Sequence, residues 1–403
     1  MGRLGSLVGR CLAVLLVLSC TVRGGRSAAL AAADETAGAT LVYVGTNTAG
    51  EGRGIHLFRL QPRGAEVSQN VTLVPLGLAA EVANPSYLEV DLPRRLLFAV
   101  SETEEFEGRP TGAVSAFSIG SGTGNLALLS RRSSLGKGPR HMALDKRGRF
   151  LLVANSGSGS LAVLPVSADG RLGEPVDHAE AGAGDALDPG KPGAEGVALD
   201  PADRFAFVCD PVGDRIMAYR FDAETGKLAP NRPAATPLDP GSGPRRMVFR
   251  ADGRYAYVAN ERSSTITAFA YDPATGGLNA VQTVSTVPDY FDGSNRAAEL
   301  ALHPSAPYLY VSNLGHDSIV LFQVDPEAGT LTWVEEQGTG GRAPRHFGFE
   351  PSGKHLAIAN FDSDTVLASR VDAGNGRLKP SGIFAAVPSP ACVRFVPPPE
   401  ASR

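Results

Sequence analysis

The chain reads as an all-β protein, a seven-bladed β-propeller whose ring is closed by its C-terminal strand. Three observations predict this: a degenerate repeat of short strands and tight turns, seven copies of it, and a first copy whose missing strand turns up at the end of the chain.

The repeat is plainest at 241–278, GSGPRRMVFRADGRYAYVANERSSTITAFAYDPATGGL. A short apolar strand (Met247–Phe249) is followed by an Ala-Asp-Gly-Arg turn, a β-rich run Tyr255–Asn260, a third strand Thr265–Tyr271 and an Asp-Pro-Ala-Thr-Gly-Gly turn. Aromatic and β-branched residues in short runs, bounded by Asp, Gly and Pro, are the signature of antiparallel strands. The pattern returns at 136–172, 193–228, 294–331 and 343–378, and more faintly around Leu96–Ser101 and Leu41–Thr46. Aligned on the residue closing the second strand, the copies lie about 47–55 residues apart, the spacing of four-stranded blades. Two-residue periodicity and the lack of long amphipathic helical patterns exclude helical solenoids. The first copy starts at its second strand, and Ser389–Phe395 supplies the strand it lacks. Pairing of the two ends then leaves no open sheet edge.

Other features bound the function. With 403 residues, 43% of them hydrophobic, the chain can bury a large core. Its net charge of −4, with no basic stripe, gives no reason to expect nucleic acid as a partner. At the N-terminus, Arg3 and Arg10 precede an apolar run Cys11–Cys20, and Ala28–Ala33 offers a small-residue cleavage site. Residues 1–33 are therefore expected to be a secretory signal; a lipoprotein signal cut before Cys20 is the alternative. Export would place the protein in the periplasm or outside the cell. No later apolar run reaches the ~20 residues of a membrane helix. The propeller is expected over 34–396, with a tail at 397–403. Cys209 and Cys392, in strand-like contexts of different repeats, read as buried free thiols.

In a propeller the residues just before each first strand and just after each second strand share one face, and the Asp-Gly turns lie at the other. The repeat alignment is thus a roster for one channel mouth. Tyr87, His141, Gly196, Arg246, Glu299, His346 and Cys392 begin the first strands; Arg140, Glu195, Arg245 and Arg345 immediately precede them. Asn155, Asp210, Asn260, Glu261, Asn313 and Asn360 follow the second strands, with His316 a little later. Ester or lactone hydrolysis needs a base for water and donors for an oxyanion, and arginines recognise anions. His141, His346 and Glu299 are the catalytic candidates. Arg140, Glu195, Arg245, Glu261, Asn313, His316 and Arg345 are the candidates for binding substrate. The repeated Asn is also a natural turn cap, as are the turn aspartates. No metal-ligand spacing, nucleophile elbow or phosphate-cradling glycine loop is present, so no metal or cofactor is expected. Nothing in the sequence points to a protein partner.

The chain resembles the lactonase family of seven-bladed propellers, which includes propeller-type 6-phosphogluconolactonases and carboxymuconate cyclases. The resemblance is carried by Gly243-Pro-Arg-Arg-Met247, Asn260-Glu-Arg-Ser-Ser-Thr265, Ala297-Ala-Glu-Leu300, Ser312-Asn-Leu-Gly-His-Asp-Ser318, Pro344-Arg-His-Phe347 and Ser389-Pro-Ala-Cys-Val393, in order, over about 40–396. It implies metal-free hydrolysis of a sugar-acid lactone, with 6-phosphogluconolactone the family's best-known substrate. Arg245, Glu261, Glu299, Asn313, His316, Arg345 and His346 stand in matching motifs. On this reading Arg245 and Arg345 hold the substrate anion, His346 or His141 is the base, and Glu299 orients it. Gly193-Ala-Glu195 departs from the His-Pro-His type usual in the family, and Arg246 from a frequent His. A lactonase or lactonizing cyclase for another anionic substrate, or a non-catalytic binding propeller, are the other readings.

Overall fold

The computed structural model describes residues 39–48, 52–62, 71–181 and 193–398. The leader at 1–33, with Cys20, lies outside them, as does the tail beyond 398. The described residues form seven four-stranded antiparallel sheets, and in six of them the strands follow chain order from one sheet edge to the other. The seventh joins both ends of the chain, as expected: Pro390–Val396 pairs with Thr40–Thr46, then come Ile55–Pro62 and Val71–Ala80. Numbered by chain order, the blades cover residues 40–80 with 390–396, then 88–133, 139–180, 196–237, 244–285, 296–338 and 344–386.

Each strand's composition follows its place in the blade. The second strands Leu96–Ser101, Phe150–Asn155, Phe205–Asp210 and Tyr255–Asn260 are buried at every residue. A strand covered on both faces by neighbouring blades has no use for alternation, which is why these segments read as near-continuous apolar runs. Outer strands such as Gly277–Ser285 are largely exposed.

The turns and loops use the polar residues that the repeat spaces so regularly. Asp145 Oδ1 accepts the backbone N–H groups of Arg149 and Phe150, each at 2.6 Å, and Asp200 does the same for Arg204 and Phe205. Asn155 and Asn360, both fully buried, donate from Nδ2 to Ser134 O (2.9 Å) and Thr339 O (3.4 Å), pinning the connecting segment that leads to their own blade. These are structural roles.

Ring closure is a packing event as well as a hydrogen-bonding one. Val393 and Phe395 are buried with Val42, Val44 and Phe58 of the same blade and with Ala357 and Val366 of the seventh. Phe395→Ala is expected to cost about 3–5 kcal/mol, read from the denaturant midpoint. A loss below about 1 kcal/mol would mean that this strand does not seal the ring.

Candidate functional site

The first strand of every blade is a sheet edge facing the channel, so its outward backbone groups find no fifth strand. The side chains that begin these strands serve them instead. His346 Nδ1 accepts the N–H of Val393, and His141 Nδ1 accepts that of Val197, each at 3.3 Å and each from the following blade. Cys392 Sγ accepts the N–H of Leu88 at 3.3 Å. Tyr87 packs on the His141 ring with centroids 4.2 Å apart. Arg246 donates to Glu195 O at 2.6 Å and faces Glu299 Oε2 at 3.4 Å, and Glu299 Oε2 lies 3.7 Å from His346 Nε2. At Gly196 a Cβ would sit 2.4 Å from Arg245 O, so only glycine fits there. Seven residues thus form a closed annulus, each touching the next blade.

Above the annulus lies the arginine-rich mouth, built by a repeated backbone irregularity. Register shifts at Pro139/His141, Pro244/Arg246 and Pro344/His346 leave Arg140, Arg245 and Arg345 as the extra residue of a β-bulge. A bulge turns two successive side chains the same way, so each Pro-Arg-His or Pro-Arg-Arg sends one group to the mouth and one to the annulus. Arg140 bridges Glu102 Oε1 (2.6 Å) and Glu195 Oε1 (2.8 Å), and Ser156 Oγ also donates to Glu195 at 2.6 Å. Arg245 pairs with Glu261 at 2.8 Å. Arg345 reaches Glu102 only at 3.6 Å and lies over the Phe361 ring.

The charges sort these groups. Burial opposes ionisation of Glu195, but Arg140, Arg245, the Ser156 hydroxyl and Arg246 together pull its pKa down to about 2. It is a fixed anion. Arg345 is the under-compensated cation: burial, and then crowding by Arg245, Arg140 and Arg246, bring it down to about 10 against the pull of Glu102. Burial, followed by the nearby arginines, holds His141 and His346 well below the ordinary imidazole pKa. Both rings are neutral at physiological pH.

Below the annulus the channel widens into a cavity of about 670 Å³ that runs to the Asp-Gly turns. Tyr87, His141, Arg246 and Glu299 form its ceiling. Arg394 and Glu89 also line it; they lie two residues on from Cys392 and Tyr87 along their strands. Arg394 Nη1 is 3.0 Å from His346 Nε2, its Nη2 is 3.6 Å from Glu89, and its guanidinium stacks 4.8 Å over Tyr87. Sequence reasoning missed Arg394, Glu89, Glu102, Ser156 and the role of Tyr87. The step of two residues along an inner strand was the available signal for the first two.

The structure therefore brings together His141, His346, Glu299, Arg140, Glu195, Arg245, Glu261 and Arg345. It does not bring Asn313 and His316 into this group. Fully buried Asn313 donates to Thr286 O at 2.6 Å and accepts from Thr286 Oγ1 and Asn295 Nδ2, so it belongs with the loop-pinning asparagines. His316 binds Ser318 Oγ through Nδ1 at 2.7 Å and packs edge-on against Phe291. Asn313 is spent on the loop preceding the sixth blade, and His316 lies between that loop and Ser318 of the blade itself. Among the described residues no group of three or more His, Cys, Asp or Glu could hold a metal ion, and Cys209 and Cys392 are buried free thiols.

The family model for the lactonase seven-bladed β-propeller matches residues 41–395. The chain is 31% identical over 355 residues to the 6-phosphogluconolactonase of Bacillus subtilis, covering 88% of this chain and 97% of that one. The structure of a periplasmic gluconolactonase from Pseudomonas aeruginosa superimposes with a TM-score of 0.81 at 33% identity, covering 90% of this chain and all of that one. A putative 6-phosphogluconolactonase from Bacteroides fragilis gives 0.78 at 32%, covering 90% and 99%. With this fold, this order of motifs and a match along the whole propeller, the chain belongs to the seven-bladed β-propeller lactonase family.

Proposed function

We propose that the protein is a lactone hydrolase that opens an acidic sugar-acid lactone at the annulus, using groups of its own chain. The observation that carries this is the ring with its mouth: a carboxylate and two neutral imidazoles meet at one closed constriction, and an under-compensated guanidinium stands directly above it. The similar proteins named 6-phosphogluconolactonase and gluconolactonase support the reaction class.

The hydrogen bonds support roles other than those expected from the sequence. His141 Nδ1 has its lone pair on Val197 N–H, so the neutral ring carries its proton on Nε2 and donates there. In His346 both nitrogens face donors, Val393 N–H at Nδ1 and Arg394 at Nε2. Whichever nitrogen keeps the ring proton, the other lone pair is committed. Neither imidazole has one free for water, so the base is Glu299, held between Arg246 and His346. Glu299 takes a proton from water as the water oxygen adds to the lactone carbonyl carbon. The carbonyl becomes a tetrahedral oxyanion that accepts from His141 Nε2–H. The oxyanion then re-forms C=O as the ring C–O bond breaks, and the proton held by Glu299 passes to the leaving alkoxide. The products are a hydroxyl and a carboxylic acid. Arg345, and Arg245 beside it, hold the substrate's phosphate or carboxylate from the mouth.

Export is part of the proposal. It is supported by the charged, apolar and small-residue succession in 1–33 and by the periplasmic relative.

Three outcomes are expected. Proton release from 6-phosphogluconolactone and gluconolactone by residues 34–403, at mildly acidic pH, should exceed spontaneous opening. Glu299→Gln should lower kcat about 10²–10⁴-fold and His141→Phe about 10²–10³-fold. Arg345→Ala should raise KM about tenfold or more for the phosphorylated lactone only, about 1.4 kcal/mol. An active Glu299→Gln variant would end the assignment of the base. The second outcome concerns pH. The folded imidazoles of His141 and His346 resist protonation and the unfolded ones do not, so below about pH 6.5 the unfolded chain binds more protons and stability falls with pH. Between about pH 6.5 and 5 the denaturant-derived stability should drop by roughly 1 kcal/mol per pH unit per histidine. His346→Gln should have a visibly shallower slope; an unchanged slope would contradict burial of a neutral His346. Thirdly, expression of the full chain in a bacterial host should yield a processed form in the periplasmic or membrane fraction, whereas an unprocessed cytosolic product would overturn export.

A further inference from the structure

The three arginines of the mouth are not equivalent. In the tier of residues that precede the annulus, Arg140 and Arg245 stand on either side of Glu195, whereas Arg345 stands between Ala298 and Ala391 of the neighbouring blades. Both alanines are buried, so the guanidinium of Arg345 has short methyl groups, not a counter-charge, on each side of it in its own tier. Its one carboxylate contact among the described residues is Glu102, at 3.6 Å. Glu102 follows the second strand of its blade as Glu261 does in the fifth, and Glu261 pairs with Arg245 of that same blade at 2.8 Å. The second blade has Ser86 where the fifth has Arg245. With no arginine of its own blade at this tier, Glu102 reaches to the third and the seventh.

The way Glu102 is held decides what it does there. Its backbone N–H donates to Asn84 O at 3.0 Å, and its carbonyl accepts from Asn84 Nδ2 at 3.2 Å. Its Oε1 accepts from Nε and Nη2 of Arg140, at 3.0 and 2.6 Å, which leaves Oε2 facing Arg345. Arg140 also has Glu195 at 2.8 Å, so it does not depend on Glu102 for a counter-charge.

We propose that Glu102 is a specificity-determining residue of the mouth, a fixed carboxylate beside the anion position of Arg345 that limits how strongly the site prefers a phosphorylated ligand. The inference rests on the reading above that Arg345 holds the ligand's anion. An anion arriving at Arg345 does not displace Glu102, whose Oε1 stays on Arg140, so two negative groups then share one guanidinium. The repulsion grows with the ligand's charge: a phosphomonoester carries about −1.5 to −2 at neutral pH, and an unphosphorylated hydroxymethyl arm carries none. In the free protein the same carboxylate offsets the crowding of Arg345 by Arg245, Arg140 and Arg246. The residue that weakens the ligand therefore stabilises the empty mouth.

Titration calorimetry of residues 34–403 with 6-phosphogluconate and with gluconate, which lacks the phosphate, tests this without reference to turnover. Glu102→Gln keeps an oxygen for Arg140 and removes the charge; it should raise the ratio of 6-phosphogluconate to gluconate affinity about tenfold. Glu104→Gln, exposed on the same loop, should leave the ratio unchanged, and in an Arg345→Met background Glu102→Gln should bring no gain. Glu102→Asp, which draws the carboxylate back from Arg345, should shift the ratio the same way by less, and decides the matter if Glu102→Gln does not fold. An unchanged ratio, an equal gain from Glu104→Gln, equal tightening of gluconate, or a gain that survives Arg345→Met would each overturn the proposal. Lactone turnover with no effect of Glu102→Gln would end this inference and leave the hydrolase; the effect without turnover would do the reverse.

Discussion

The structure depends on one pairing, that of Pro390–Val396 with Thr40–Thr46. It converts a row of seven sheets into a ring, and a ring removes the exposed outer faces that an open array would carry at its two ends. It also fixes the channel. Closing the circle points seven inner strand edges at a common axis, where their backbone groups have no further strand to bind. The side chains that begin those strands must satisfy them, and two of these are the histidines. Fold closure and the chemistry of the site are therefore one problem.

The same constraint explains the electrostatics. A narrow buried ring cannot hold isolated charges cheaply. It holds Arg246 against Glu299 and keeps its imidazoles neutral by burial and by surrounding guanidiniums. Donors and acceptors fixed this way need little reorganisation when charge develops on a substrate. The bulges at Arg140, Arg245 and Arg345 add a second tier without lengthening any loop, because each turns an extra side chain towards the mouth.

Much of this was legible in advance. Seven repeats, the closing strand and the roster of mouth residues follow from spacing, because a strand period of two and a regular turn leave few arrangements of the chain. The annulus members Tyr87, His141, Gly196, Arg246, Glu299, His346 and Cys392 were aligned correctly for the same reason. Asn313 and His316 were not distinguishable from site residues, since a side chain that leaves the second strand can turn into the loop or towards the channel with no change in sequence pattern. Arg394 was missed because it lies two residues beyond the aligned strand-entry position, and Glu102, which follows Ser101 as Glu261 follows Asn260, was missed because it sits in one of the faint copies of the repeat.

The sequence by itself determined the architecture: hydrophobic runs, turn residues and a displaced first strand specify a closed seven-bladed ring, because only closure buries those runs and pairs both chain ends. The tertiary structure alone decided which nitrogen of each histidine is spent on backbone, which arginine is left under-compensated and that a chamber opens below the ring. Those depend on distances of a few ångströms between residues hundreds of positions apart, such as Cys392 and Leu88, and no local pattern encodes them.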